Sequence, residues 1–196
     1  MTRAIHPIEE QSYAILRSRA DTSALPPLTR AVTERVVHAS ADLGYLGDLV
    51  CAEEALAAGA HALRRGAAVV ADSGMVAAGI TTCDVVCRVG DPRAASLAAR
   101  TGRTRSAAGI RLAFRDVGPG AVWVIGTAPT ALSELIALGA GPALVVGLPV
   151  GFVGAAEAKS ALRASGLPAL TNRSEKGGAA VAAAAVNALL YHEDSA

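Results

Sequence analysis

The chain has 196 residues, with 18 Lys and Arg balanced by 17 Asp and Glu for a net charge of +1, so it has no global field to draw nucleic acid or an anionic membrane. Aromatic residues make up only 3%, which leaves few stacking platforms for single-stranded bases, so nucleic-acid binding is not expected. Hydrophobic residues reach 52%, but Ala and Gly supply much of this; no run of about 18 apolar residues reads as a membrane span, and Pro7, Glu9 and Glu10 interrupt any signal-peptide core, so a cytoplasmic protein is expected.

The first third reads as helical. Ile8, Tyr13, Ile15 and Leu16 with Glu9, Glu10, Arg17 and Arg19 give an amphipathic helix over 8–19, ended by Asp21-Thr-Ser-Ala-Leu-Pro-Pro27. A second helix spans Thr29 to Asp42. Gly44 and Gly47 loosen its end before an Ala-rich helix from Asp48 to Leu63. From Gly66 the pattern alternates. Apolar strands are predicted at 67–71, 85–89, 122–125, 143–146 and 168–171, and helices at 92–100, 105–113, 131–138, 155–165 and 179–190. The length fits one domain over 1–196, an α/β/α sandwich with a five-stranded, mainly parallel sheet whose ligand site lies past the carboxyl ends of the strands.

The second helix carries the candidate chemistry. Leu28, Val32, Val36 and Leu43 form its apolar stripe, while Arg35, His38 and Asp42 follow at i, i+3 and i+7 on another face. His38 is therefore expected to be displayed. Asp42, one turn on, would stabilise the imidazolium, and Arg35, one turn back, would hold an anionic ligand. A plain surface helix with one ion pair fits the same spacing.

Other motifs are weaker. Gly147, Gly151 and Gly154 lack the dinucleotide G-x-G-x-x-G spacing, no phosphate-binding G-x-x-x-x-G-K-[ST] occurs, and Ser73 lacks a nucleophile-elbow context. The Gly- and Pro-rich turns after the strands read as tight packing turns, although helix N-termini there would suit anions. Arg100 and Arg103 read as a solvated face. Cys83 and Cys87 read as buried free thiols in a strand, and three cysteines make no disulfide framework.

Several strings taken together resemble the precorrin-8X methylmutase family, called cobalt-precorrin-8 methylmutase in the anaerobic branch of cobalamin biosynthesis. They are Pro7-Ile-Glu-Glu-Gln-Ser-Tyr13, Arg35-Val-Val-His38 with Asp42, Val70-Ala-Asp-Ser-Gly-Met-Val-Ala-Ala-Gly-Ile80, Thr104-Arg-Ser-Ala-Ala108, Ile125-Gly-Thr-Ala-Pro-Thr-Ala-Leu132, Pro149-Val-Gly-Phe-Val-Gly-Ala-Ala-Glu-Ala-Lys159 and Lys176-Gly-Gly-Ala-Ala-Val-Ala-Ala-Ala-Ala-Val-Asn-Ala-Leu189. The resemblance implies a homodimeric isomerase that moves a methyl group from carbon 11 to carbon 12 of a corrin-type tetrapyrrole without an added cofactor or metal. It implies His38 as proton donor and acceptor and Ser12 and Arg35 as tetrapyrrole contacts; Arg111 joins them as a candidate on the strength of its helix. The chain departs from the family strings at Thr127, Ala158, Ala179 and the loop Asn172 to Lys176, which bears on contacts to the substrate's periphery. The competing expectations are a tetrapyrrole carrier without turnover and a Rossmann-like nucleotide-dependent enzyme.

Overall fold

The structure, a computed structural model, describes residues 6–192. Helix α1 (Pro7–Arg19) opens on Pro7 with the His6 side chain accepting from the Ile8 N–H, and it places Glu9 and Glu10 in its first turn and Arg17 and Arg19 in its last, as the helix dipole favours. Helix α2 (Pro27–Ser40) has no cap of its own. Its first amides are met by a side chain from further along: the Glu53 carboxylate accepts from the Leu28 and Thr29 N–H groups, both at 2.8 Å. Glu53 itself begins a later helix. The stretch predicted as one helix over 48–63 is instead α3 (Tyr45–Asp48), a strand β1 (Leu49–Cys51) and α4 (Glu53–Arg64). Three residues are too few to show a period of two, so nothing marked β1 off from the Ala-rich sequence after it.

The remaining elements alternate: β2 (Val69–Ala71), α5 (Gly74–Gly79), β3 (Val85–Cys87), α6 (Pro92–Thr101), α7 (Arg105–Val117), β4 (Val122–Ile125), α8 (Pro129–Leu138), β5 (Leu144–Gly147), α9 (Ala155–Ala164), β6 (Ala169–Asn172) and α10 (Ala179–Tyr191). The sheet has six strands in the order β1-β6-β5-β4-β2-β3, not the five expected. All neighbours are parallel except β1, which runs antiparallel along β6 with Val50 opposite Thr171.

Side chains alternate across the sheet as the pleat requires. Val69, Val122, Val124, Leu144 and Val146 join Val32 and Val36 of α2, Leu56 of α4 and the alanines of α10 in one core. Val70, Trp123, Ile125 and Val145 join Ile110 of α7, Leu132 and Leu135 of α8 and Leu162 of α9 in a second core on the opposite face. Helix α10 is almost entirely buried, and its alanines let it lie between α2 and the sheet. No described helix is long and apolar enough to cross a membrane.

Candidate functional site

His38 stands in the last turn of α2, partly buried beneath α1. Its Nδ1 lies 2.8 Å from Ser12 Oγ, and its ring stacks on Tyr13 with centroids 5.0 Å apart and planes 12° from parallel. Holding one ring nitrogen fixes the imidazole's orientation. Nε2 has no hydrogen-bond partner among the described residues, so it is the nitrogen left to exchange a proton with a ligand. Arg35, one turn earlier, donates to Glu9 Oε1 at 2.5 Å and lies 5.4 Å over the ring of Tyr191. Ser12, Arg35 and His38 are thus brought together, with Glu9, Tyr13 and Tyr191 completing a cluster that helical spacing within α2 could not reveal. Three of these six come from α1 and one from the end of α10.

Helix α1 is held to the rest by few apolar contacts, since Leu16 is the one side chain it buries. A polar clip supplements it. Glu34, itself buried, accepts from Arg17 Nη2 at 2.7 Å and Arg30 Nε at 2.9 Å, and from the Thr22 hydroxyl. Burial works to raise the Glu34 carboxyl, but Arg17, Thr22 and Arg30 together bring it down to about 2.

Asp42 does not partner His38. Helix α2 ends at Ser40, and Ala41 takes a left-handed conformation at φ 53°, which turns Asp42 off the helix. Its carboxylate accepts from the Gly44 N–H at 2.8 Å and pairs with Lys176 Nζ at 2.7 Å; Lys176 and then Gly44 hold it below the ordinary carboxylate range. The group that meets the imidazole is Ser12 of α1. Arg111 is not brought to His38 within the chain either: α7 lies on the opposite face of the sheet, where Arg111 and Arg103 both bond Glu134. Arg103 is exposed, as read, and its guanidinium also pairs with Glu134.

The carboxyl ends of the strands carry a second layer of organisation. Asp72, just past β2, is buried and accepts the N–H groups of Gly126, Thr127 and Ala128 at 3.0, 2.9 and 2.7 Å. Burial pushes its carboxyl up while those three amides pull it down. The three amides ahead of α8 are therefore met by the protein's own carboxylate, which leaves none of their N–H groups open to a phosphate. Thr127 Oγ1 lies 2.8 Å from Ser73 Oγ, and Ala158 is packed in the second core. Next along, Gly151 N–H donates to the Glu175 carbonyl and Gly178 N–H to the Leu148 carbonyl, which ties the β5–α9 and β6–α10 loops together. Gly177 is required there: at φ +154° it passes so close to Leu148 that any Cβ would collide with that residue's carbonyl oxygen. Cys51, Cys83 and Cys87 are free and partly exposed, and Cys83 lies in a loop rather than a strand. No group of three or more His, Cys, Asp or Glu among the described residues is placed to hold a metal ion.

A family model described as Precorrin-8X methylmutase matches residues 7–192. The chain is 42% identical over 194 residues to a precorrin-8X methylmutase of Pseudomonas aeruginosa, with 93% of each chain covered. It is 39% identical over 197 residues to a cobalt-precorrin-8 methylmutase of Salmonella typhimurium, with 94% of each covered. Its fold superposes on the crystal structure of a precorrin-8X methylmutase of Thermus thermophilus with a TM-score of 0.85 and 34% identity, covering 93% of both chains. On these grounds the chain belongs to the precorrin-8X methylmutase family, the isomerases that act in cobalamin biosynthesis.

Proposed function

We propose that this chain moves the methyl group on carbon 11 of precorrin-8X, or of its cobalt counterpart, to carbon 12, giving hydrogenobyrinate or cobyrinate. The observation that carries the reading is the His38 ring, oriented through Nδ1 by Ser12 and stacked on Tyr13, with no partner on Nε2 among the described residues, in a chain whose residues 7–192 match the methylmutase family. The shift is internal to the substrate. Protonation of a ring nitrogen by Nε2–H draws electrons from the π-system, the methyl group migrates with its bonding pair to the adjacent electron-poor carbon, and the proton returns to Nε2. Such general acid help is worth roughly a hundredfold or more.

Ser12 sets the imidazole, and Arg35, held beside it by Glu9 through Nη1, offers its remaining guanidinium N–H groups to the acidic side chains of the macrocycle. Arg111 enters this reading only through a second subunit, because within one chain it stands across the sheet. A cytoplasmic homodimer is part of the proposal. Two adjacent apolar side chains on the β5–α9 loop, Phe152 at 97% exposure and Val153 at 89%, are available to such a pairing. Incubating purified protein with metal-free and cobalt-bound substrates, and following the chromophore change, tests the activity. Binding without conversion would make the protein a tetrapyrrole carrier.

A further inference from the structure

Lys159, in the middle of α9, has no exposed surface at all. Its Nζ donates to Asn172 Oδ1 at 2.9 Å, to the Lys176 carbonyl at 2.7 Å and to the Ser174 carbonyl. All three acceptors belong to one stretch, the end of β6 and the loop leading to α10. The other side of that loop is held by Asp48, whose carboxylate accepts from the Arg173 and Ser174 N–H groups, the Ser174 hydroxyl and Asn172 Nδ2. Asn172, also fully buried, bridges the two: its Oδ1 accepts from Lys159, and its Nδ2 donates to Asp48 and to the Lys176 carbonyl. The loop is therefore wrapped around a buried ammonium, much as a loop wraps a bound cation.

An apolar side chain would fill the same shaft without the desolvation penalty of a buried charge. What it could not do is satisfy three converging oxygens. The loop so shaped ends at Lys176, whose own ammonium meets Asp42, four residues past His38, and lies 5.8 Å over the ring of Tyr45. Since α2 stops at Ser40, Asp42 lies off the helix, and its carboxylate is fixed from two sides, by Lys176 and by the Gly44 N–H.

We propose that Lys159 is a positioning residue: an internal cation that folds the β6–α10 loop and thereby sets Lys176 against the end of the helix that carries His38. The functional half rests on the reaction proposed above; the structural half does not. The charged groups that face Lys159 are Asp48, Glu175 and Arg163. Burial pushes its ammonium down to about 8, opposed by the two acids.

The test uses Lys159→Met, Lys176→Met and the double variant of the full chain. Amide hydrogen exchange on ligand-free protein should rise in residues 173–178 of Lys159→Met and stay unchanged in residues 181–189; unchanged loop exchange would overturn the structural half, whatever the turnover. In turnover, each single variant should lose about tenfold in kcat/KM, and the double should fall no more than about twofold below the worse single, because contacts acting through one another do not add. Losses that multiply to about a hundredfold, or a Lys176→Met variant with parental turnover, would overturn the functional half. Should Lys159→Met fail to fold, the parent serves. A neutral amine offers two N–H groups to three acceptors, so loop protection relative to α10 should fall as pH rises through about 8, and a flat ratio from pH 7 to pH 9.5 would overturn the proposal.

Discussion

Replacing Glu34 with Gln removes the charge at the centre of the clip between α1 and α2 while keeping the side chain's shape. Its carboxyl moves from an ordinary 4.5 to about 2 on folding. At about 1.4 kcal/mol per unit, that difference corresponds to roughly 3 kcal/mol of stability at neutral pH. Arg17 and Arg30 can turn to water when the anion is lost, so no buried cation is stranded and the cost should not exceed that figure. For a chain of this length a loss of about 3 kcal/mol lowers Tm by roughly 6–12 °C. The sign with pH follows from the depressed folded value: the contribution is complete above 4.5 and is lost as pH falls from 4.5 toward 2. Urea unfolding of parent and Glu34→Gln should therefore show a gap of about 2–3 kcal/mol at pH 7 that narrows below pH 4.5 and closes near pH 2. A gap under about 0.5 kcal/mol at pH 7, or one that persists unchanged to pH 2.5, would refute the reasoning. Because α1 carries Ser12, the same variant should also turn over more slowly at temperatures well below its Tm.

His38→Ala should reduce turnover by roughly a hundredfold or more while leaving Tm and most of the tetrapyrrole affinity, read by absorbance titration; activity within about tenfold of the parent would reject proton transfer by this residue. Ser12→Ala should lower kcat more than it raises KM, since it frees the ring without removing it, and equal proportional changes in both would point to a substrate contact instead. Asp72→Ala strands three amides at the start of α8 and should cost about 2–4 kcal/mol in denaturant unfolding, where a loss below about 1 kcal/mol would show that water replaces the carboxylate.

Much of the sheet was legible because its strands are short β-branched runs bounded by Gly, Pro or Asp, and their alternation with helical stretches leaves few topologies. What escaped had no periodicity to show. Strand β1 is three residues long, and α5 is a single short turn-and-a-half after Ser73. Asp42 looked like a helix neighbour of His38 because nothing in His38-Ala-Ser-Ala41 announces a left-handed residue; Ala41 adopts it where Gly or Asn would be the usual signal. Ser12 lies 26 residues from its partner, a pairing that helical spacing cannot supply, and it was reached through family likeness alone. Lys159 shares α9 with Glu157 and Arg163, a spacing that does not mark it as buried, and only the three-dimensional convergence of Asn172, Ser174 and Lys176 shows why a charge belongs inside.

Asp72 has a consequence for how a ligand is received. A turn that waits for a substrate anion to satisfy its amides is loose until the anion comes, and some of the binding free energy goes into ordering it. Here Asp72 already accepts from those amides, so the hydrogen bonding of the turn from Gly126 to Ala128 does not depend on a ligand. A broad, stiff macrocycle would then meet a wall that does not reshape on contact. Association should accordingly show a heat-capacity change set by the apolar area covered, with no added component from folding of this turn.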